Sequence, residues 1–165
     1  MQLSTNFNLN EFIKSAGLVI TPTQQQIFCL SLLAQNVLQP IRNKFGNTVI
    51  TSGLRNEKSH KSLISKGYPA STTSDHFAWS KENPIGTGAA DIVCPNAEMF
   101  LVFEWIQSNI FNNIGQVIYY PDKGFIHVSN RFSNIFCMPD PRKEETRALI
   151  YRNGRFVPIK VKWDS

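Results

Sequence analysis

The chain contains three histidines, so any chemistry based on imidazole must use His60, His76 or His127. His127 lies in an apolar, β-branched stretch, and the period of two in a strand places its side chain on the face opposite Ile126 and Val128. His76 borders a long polar segment. His60 lies among lysines and serines, and we expect it to be solvated on the surface. His76 and His127 are therefore the candidates for acid–base or metal chemistry.

Asp91 is the acidic residue of an apolar strand pattern, AADIV. An unpaired carboxylate is unfavourable to bury, so Asp91 needs a polar partner. One interpretation is a structural pair in the core, where polar groups are normally satisfied. The other is a metal site of His76, Asp91 and His127, because three nitrogen and oxygen ligands plus a water are typical of catalytic zinc, which lowers the pKa of that water to about 7. The chain has no His-Glu-x-x-His motif, so the spacing leaves both interpretations open.

The composition is that of one globular domain. Of the 165 residues, 42% are hydrophobic and 18% are charged, which excludes a disordered, collagen-like or disulfide-scaffold protein. A formal charge of +5 favours a polyanionic partner, either nucleic acid or an anionic cell-wall polymer. The cysteines show no Cys-x-x-Cys spacing, so we expect Cys29, Cys94 and Cys137 to be reduced, buried thiols.

Hydropathy and the first residues bear on location. No apolar run reaches about 18 residues, which argues against a membrane span. The beginning of the chain, MQLSTN, lacks the basic and then apolar pattern of a signal peptide. We therefore expect a protein that is made in the cytoplasm and is not inserted into a membrane.

Helical patterns dominate the first third of the chain. A short helix is predicted from Leu9 to Lys14, after a capping Asn8. A longer helix is predicted from Pro22 to Phe45, with Thr21 as its cap. Pro40 should kink or break this helix, because proline removes one backbone hydrogen bond.

Beyond the helices, polar loops alternate with strand patterns. Asn56 to Gly88 shows no steady period, which predicts a long loop of functional importance. Two hairpins are predicted, one turning at Pro121 to Gly124 and one at Asn153-Gly154, a pair typical of a type I′ turn. The other predicted elements are strands at Asn47 to Ser52, Ala89 to Val93, Gly115 to Tyr120, Phe125 to Ser129, Ala148 to Arg152 and Arg155 to Val161, and a helix from Ala97 to Phe111 capped by Asn96. This order indicates the α+β class with a mostly antiparallel sheet.

Seven short motifs occur in the order found in one peptidase family. They are Asn6 to Phe12 (NFNLNEF), Leu38 to Gly46 (LQPIRNKFG), Ile50 to Arg55 (ITSGLR), Ser74 to His76 (SDH), Ala89 to Ile92 (AADI), Gln116 to Tyr119 (QVIY) and Ile126 to Ser129 (IHVS). On these motifs the segment from Leu3 to Ser129 resembles the M15 family of zinc D-Ala-D-Ala peptidases, especially its short phage and bacterial members. The resemblance implies one domain over residues 1–165, with N-terminal helices packed on a small antiparallel sheet (Hedgehog/DD-peptidase-like) and a basic C-terminal hairpin extension from about 140 to 165.

The resemblance also assigns roles to individual residues. His76, Asp91 and His127 match the family's zinc ligands. Arg55 matches the arginine that binds or polarises the substrate, which suits a guanidinium because it stays charged and offers two donors. Ser74 matches a serine that contacts the substrate or the loop backbone. Structural roles are the alternatives for Arg55 and Ser74.

Two features depart from the family pattern. His76 and Asp91 are fifteen residues apart, and the excess corresponds to an apparent insertion from Ala78 to Thr87. A loop can absorb such an insertion, because closure entropy grows slowly with length. We expect the insertion to bring Trp79 beside the substrate cleft, where Tyr120 would also bind substrate; a position in the core is the alternative for both aromatics.

The second departure concerns the general base, which the family places shortly before the last histidine ligand. Gly124 occupies the usual position, and Tyr120 occupies the position used by other short members. The nearest carboxylate is Asp122, which is our candidate for the base; an ordinary turn aspartate is the alternative. Glu57 and Glu82 are held in reserve.

The first functional hypothesis is an endolysin-like zinc metallopeptidase that hydrolyses peptide bonds of bacterial peptidoglycan, as a D-Ala carboxypeptidase or a cross-link endopeptidase. We expect a monomer with Zn²⁺ as cofactor, acting at the cell wall or periplasm or carried in a phage particle. The second hypothesis, motivated by Gly124 and the stretched ligand spacing, is a catalytically impaired, zinc-stabilised peptidoglycan-binding or virion structural module. A nucleic-acid-binding protein rests on charge alone, without a recognisable motif, and no nucleic-acid partner is expected.

Overall fold

The computed structural model describes residues 1–15, 17–68, 71–81, 83, 87–131, 143 and 146–159. In these ranges the helices are α1 Leu9–Phe12, α2 Gln24–Leu33, α3 Gln39–Phe45, α4 Glu57–Ser65 and α5 Met99–Asn109. The strands are β1 Lys14–Ser15, β2 Leu18–Val19, β3 Val49–Ser52, β4 Ala89–Val93, β5 Ile114–Tyr120, β6 Phe125–Asn130, β7 Ala148–Arg152 and β8 Arg155–Pro158. The predicted α+β class is confirmed. None of the helices in the described ranges has the length and hydrophobicity that a membrane crossing requires.

Six strands form one sheet in the order β3-β4-β6-β5-β7-β8. Neighbouring strands are antiparallel except β5 and β7, which run parallel. Both predicted hairpins are confirmed. Asn153 and Gly154 have φ angles of 50° and 76°, the left-handed pair that a type I′ turn requires. The predicted end of the last strand, Val161, lies outside the described residues.

The hydrophobic core lies between one face of this sheet and a layer formed by α2, α3 and α5. Leu30 and Val37 from the helical layer and Val117 and Ile126 from the sheet are fully buried there. The buried thiols Cys29 and Cys94 fulfil the prediction for those two cysteines, whereas Cys137 lies outside the described residues. The opposite face of the sheet stays available for a site.

Two helix starts differ from the predicted ones. The cap of α2 is Thr23 and not Thr21: Thr23 Oγ1 accepts the N–H of Gln26 at 3.2 Å, and the Gln26 side chain accepts the N–H of Thr23 at 3.0 Å. This reciprocal capping box satisfies two backbone donors at once, which outweighs a proline in the first turn. α5 follows Glu98, so the predicted cap Asn96 is also wrong.

Pro40 interrupts the long helix as predicted. A π-helical turn, Ala34–Leu38, separates α2 from α3 and leaves Pro40 in the first turn of α3. Pro40 has no N–H for the carbonyl of Asn36, four residues earlier. That carbonyl accepts a hydrogen bond from Asn113 Nδ2 at 3.2 Å instead. The backbone stays helical through this turn, which is stabilised from outside the helix.

The predicted loop from Asn56 to Gly88 is wrong in its first part, which is α4. Asn56 Oδ1 accepts the N–H of Ser59 at 2.9 Å, and Ser59 Oγ accepts the N–H of Asn56 at 3.0 Å. Serine replaces the usual Glu or Gln of a capping box here, and the helix is largely polar. Periodicity missed it because so few apolar side chains mark its buried face.

Candidate metal centre

One row of paired residues crosses the sheet and carries two candidate ligands. Asp91 in β4 pairs with His127 in β6, His127 pairs with Ile118 in β5, and Ile118 pairs with Leu149 in β7. On the other side Asp91 pairs with Ser52 in β3. Paired residues point to the same face of a sheet. Strand register therefore places the Asp91 carboxylate beside the His127 imidazole, on the face opposite the helical layer.

The third candidate ligand, His76, comes from a short 3-10 turn, Asp75–Phe77. The backbone carbonyl of His76 accepts the N–H of Arg55 at 2.8 Å. Its Nδ1 lies 2.6 Å from the carbonyl oxygen of Gly53, which can only accept, so Nδ1 carries the proton. The lone pair of Nε2 then points at the site, as expected of a metal-binding histidine whose orientation is fixed by a backbone carbonyl.

The backbone around Gly53 is packed too tightly for a side chain. A Cβ atom on Gly53 would overlap the backbone of Phe12 at the end of α1. The next residue, Leu54, donates its N–H to the Phe12 carbonyl at 2.7 Å. This close approach fixes the carbonyl that orients His76, and it explains why glycine is needed at this position.

The three ligand atoms form a nearly equilateral triangle. His76 Nε2 lies 3.2 Å from Asp91 Oδ1 and 3.1 Å from His127 Nδ1, and the latter two atoms are 3.0 Å apart. A tetrahedral zinc ion with bonds of about 2.0–2.1 Å holds its ligand atoms about 3.3–3.4 Å apart. Two imidazoles and a carboxylate are also the donor types that zinc prefers. The triangle fits a zinc ion with little movement of the side chains.

The pKa shifts of His76 and Asp91 favour the states that a metal requires of them. Burial lowers the pKa of His76, which favours the neutral imidazole. Burial alone would raise the pKa of Asp91, but His76 and His127 outweigh it and hold that pKa well below its ordinary value. Arg55 also pairs with Asp91, through Oδ2 at 3.0 Å, and leaves Oδ1 to the triangle. A neutral imidazole and an ionised carboxylate are ligands ready for a cation.

The segment between His76 and Asp91, part of which the sequence predicts to be an insertion, is tied back at its end. Thr87 Oγ1 donates to Asp75 Oδ1 at 3.0 Å, and Asn83 Nδ2 donates to Thr87 Oγ1 at 2.9 Å. All three side chains are buried. These bonds hold the start of β4 against the turn that carries His76, so the fifteen-residue spacing is compatible with a compact triangle.

A cleft of about 710 Å³ opens above the triangle. Its floor is the sheet row described above, and one side is formed by residues around His76. The predicted extension at the C-terminus also takes part, since β7 contributes Leu149 and β8 contributes Phe156, which is 48% exposed. The described residues that line the cleft are Thr51, Ser52, Arg55, Leu63, Tyr68, Ser71, Thr73, Ser74, Asp75, His76, Asp91, Val93, Gln116, Ile118, Tyr120, Lys123, Phe125, His127, Leu149 and Phe156.

The other predicted site residues divide into two groups. Arg55, Ser74 and Tyr120 line the cleft together with the three candidate ligands. Asp122 is exposed in the turn between β5 and β6 and is not among the described residues that line the cleft; neither is Trp79, which packs against the hydrophobic core. The roles of Trp79 in substrate binding and of Asp122 as the general base remain predictions.

Of the two reserve carboxylates, Glu57 is not among the described residues that line the cleft. Glu57 forms an ion pair with Lys61 on α4, at 2.6 Å. Glu82 lies outside the described residues. Among the described residues, Asp75 is the one cleft-lining carboxylate besides Asp91, and its Oδ1 accepts a hydrogen bond from Thr87.

The predicted surface position of His60 is wrong. His60 is 5% exposed on α4, and its ring packs on Phe77 with the centroids 4.9 Å apart. Neither ring nitrogen finds a hydrogen-bond partner within the described part of the chain. Burial and the nearby Arg55 lower its pKa. The error follows from missing α4, whose buried face carries this histidine.

Sequence reasoning also missed cleft residues for which it had no signal. Phe156 enters the cleft because β7 and β8 extend the sheet beside β5, and Lys123 enters it because the turn between β5 and β6 lies against Tyr68. Periodicity determines neither contact. Gly53 was part of a motif, but its role in orienting His76 depends on the approach of α1.

Comparisons with protein-family models, with curated proteins and with solved structures each returned no match to this chain.

Proposed function

We propose that the chain is a zinc-dependent peptidase that hydrolyses peptide bonds of bacterial peptidoglycan, as a D-Ala carboxypeptidase or a cross-link endopeptidase. The observation that carries the proposal is the triangle of His76 Nε2, Asp91 Oδ1 and His127 Nδ1, with sides of 3.0–3.2 Å, in an open cleft. The ordered motifs that resemble the M15 family support the choice of substrate.

His76, Asp91 and His127 would hold the zinc ion. The hydrogen bond from His76 Nδ1 to the Gly53 carbonyl leaves the lone pair of His76 Nε2 available for it. Bound zinc polarises a carbonyl group and supplies hydroxide near neutral pH. The protein contributes a cleft wide enough for a peptide, with the ligands buried at its floor and solvent access from above.

Arg55 is suited to orient Asp91 and to stabilise negative charge on the substrate. Its Nη2 atom bonds Asp91 and Ser52, at 3.0 and 3.2 Å. Its buried Nε atom has no hydrogen-bond partner in the described part of the chain. In the proposed reaction, an N–H group of the guanidinium donates a hydrogen bond to the oxyanion that develops at the scissile carbonyl.

Tyr120 and Ser74 are assigned to substrate binding. Burial and the Asp91 carboxylate raise the pKa of Tyr120, so its phenol stays protonated and donates a hydrogen bond. Phe125 stacks on the Tyr120 ring with centroids 4.5 Å apart, which fixes its direction. Ser74 lines the cleft beside His76 and offers a hydroxyl to the peptide backbone.

Asp122 is the proposed general base, which takes a proton from the attacking water and delivers it to the leaving amine. The side chain is exposed on the turn between β5 and β6, so catalysis requires it to swing towards the cleft when substrate binds. Asp122→Asn should retain zinc and lose at least about 100-fold in turnover, the range typical of general acid–base catalysis. Glu104→Gln, which removes an exposed carboxylate on α5 outside the cleft, is the matched control and should keep the turnover of the parent.

The experiment that tests the proposal is digestion of purified peptidoglycan by the zinc-loaded chain. Released amino and carboxyl termini are identified by mass spectrometry, which also names the bond. The proposal predicts cleavage that His127→Ala abolishes. Intact peptidoglycan after incubation with a fully zinc-loaded chain would refute it.

One observation favours a second function, a zinc-stabilised module that binds peptidoglycan or forms part of a virion without hydrolysis. Among the described residues, no carboxylate other than Asp75 and the ligand Asp91 lines the cleft, and Asp75 is bonded to Thr87. Zinc binding and peptidoglycan binding without any new termini would support this alternative. In either case we propose synthesis in a host cytoplasm and action at the cell wall or within a phage particle.

A further inference from the structure

The charges that line the cleft are unevenly matched. Apart from the two candidate histidine ligands, the described residues that line the cleft include four charged ones: Arg55, Asp75, Asp91 and Lys123. Arg55 and Asp91 form an ion pair at 3.0 Å. Asp75 accepts a hydrogen bond from the buried hydroxyl of Thr87. Lys123 has no carboxylate within ion-pair distance among the described residues, so one positive charge in the cleft is left for a ligand.

Lys123 is held at the rim of the cleft by the turn between β5 and β6. Pro121–Lys123 forms a 3-10 turn, and Gly124 closes it with a left-handed φ of 67°. The Lys123 ammonium lies 5.0 Å from the centre of the Tyr68 ring, which belongs to the segment after α4 and is 50% exposed. A cation–π contact at such an exposed position is weak, and a carboxylate could displace it.

Neutral hydrogen-bond donors line the same cleft as Lys123. Ser71, Thr73 and Ser74 line the same cleft and belong to the segment that follows Tyr68. Hydroxyl groups and an ammonium together satisfy the several acceptor sites of a carboxylate.

The turn lies at a fixed distance from the ligand triangle. His127 and Phe125 are two residues apart in β6, about 7 Å along the strand, and Lys123 lies just beyond Phe125. A peptide residue spans about 3.3–3.6 Å when extended. In a bound peptide, a carboxylate that contacts Lys123 would therefore be within a few residues of the scissile carbonyl at the triangle.

We propose that Lys123 is a specificity-determining residue that binds a carboxylate of the substrate, either a free C-terminus or an acidic side chain near the scissile bond. This inference rests on the proposed function, because it names which peptides the same cleft accepts. It assigns Lys123 to substrate selection and leaves the bond-breaking chemistry to the groups around the triangle.

The test uses the zinc-loaded full chain and two pairs of peptides. The first pair is N-acetyl-Lys-D-Ala-D-Ala with a free C-terminus or a C-terminal amide. The second pair, amidated at the C-terminus, differs only in an internal D-Glu or D-Gln. Dissociation constants are measured by calorimetry, and kcat/KM is measured for any peptide that is cleaved.

We expect the chain to bind the acid of at least one pair about tenfold more tightly than its amide. Lys123→Gln should remove this preference, Lys123→Glu should reverse it, and zinc content should stay the same in both variants. Lys66→Gln, an exposed lysine outside the cleft, should retain the preference. The pair that responds identifies the carboxylate as terminal or internal.

Equal affinity for acid and amide in both pairs, no binding of any peptide, or a preference that survives in Lys123→Gln would overturn the inference. The binding measurement does not depend on hydrolysis. A chain that discriminates through Lys123 without cleaving would therefore refute the peptidase while upholding the role of Lys123, and cleavage without discrimination would do the reverse.

Discussion

The candidate metal centre joins two regions that are built differently. Asp91 and His127 lie on adjacent strands inside a six-stranded sheet, where backbone pairing fixes their separation. His76 and Arg55 lie on the connection between β3 and β4, where a backbone bond between them and the Gly53 carbonyl set their position. The sheet half, Asp91 and His127, is therefore held by backbone pairing, whereas the loop half, His76 and Arg55, depends on a few specific contacts.

The two halves should differ most in how much the free energy of unfolding falls when one candidate ligand is removed from each. Asp91→Ala leaves the guanidinium of Arg55 buried without its partner, so we expect the free energy of unfolding to fall by about 3 kcal/mol. His76→Ala should abolish zinc binding equally but lower the stability of the zinc-free chain by only about 1 kcal/mol, since no buried charge is stranded. Urea denaturation of both zinc-free variants measures this, and equal losses would contradict the comparison.

Gly53→Ala should affect the loop half alone. The added methyl group would collide with the Phe12 backbone, and overpacking of this kind costs about 1–3 kcal/mol. The displaced carbonyl would no longer orient His76, so zinc affinity should fall at least tenfold. Gly46→Ala is the matched control, because its positive φ of 75° also penalises a side chain but the residue lies outside the cleft. The idea fails if both variants bind zinc like the parent.

Thr87→Val tests whether the tie at the end of the insertion matters to the metal. The variant leaves the Asp75 carboxylate without its bond from Thr87, and we expect a loss of stability of about 1 kcal/mol. Zinc affinity should fall only a few-fold, because the sheet half is untouched. Hydrogen exchange should increase around His76 and stay unchanged in β4 and β6. Unchanged exchange throughout would show that the insertion is held by other contacts.

The smallest effect should be the pH dependence contributed by His60. Burial lowers the pKa of this histidine below its ordinary value of 6.5, so the unfolded chain binds a proton that the folded chain resists. Stability is therefore present above pH 6.5 and is lost as the pH falls below it. The zinc-loaded His60→Leu variant should lose less stability than the parent between pH 7 and pH 5.5. If the stability of the parent and of the variant changed equally with pH, His60 would not contribute to the pH dependence.

The sheet half was the part that the sequence could predict. Asp91 and His127 interrupt apolar strand patterns, and alternation with a period of two assigns such residues to one face. The two hairpins could be predicted for the same reason, together with the turn preference of Asn153-Gly154. These features are local, and local patterns determine strands and turns well.

The loop half could be predicted only in part. His76 and Arg55 were identified by resemblance, but α4 was missed, because the buried positions of this polar helix hold Ser59 and His60 instead of apolar side chains. The place of Phe156 in the cleft depends on β7 pairing in parallel with β5, and that of Lys123 depends on the approach of Tyr68 to the turn between β5 and β6. Local sequence patterns specify neither of these long-range contacts.

The most direct test of the central claim is the zinc content of the tag-free chain. Elemental analysis after reconstitution is combined with X-ray absorption spectroscopy of the bound metal. We predict one zinc per chain with nitrogen and oxygen ligands at about 2.0–2.1 Å, and loss of that zinc in His76→Ala. No bound zinc, or zinc that His76→Ala retains, would contradict the account.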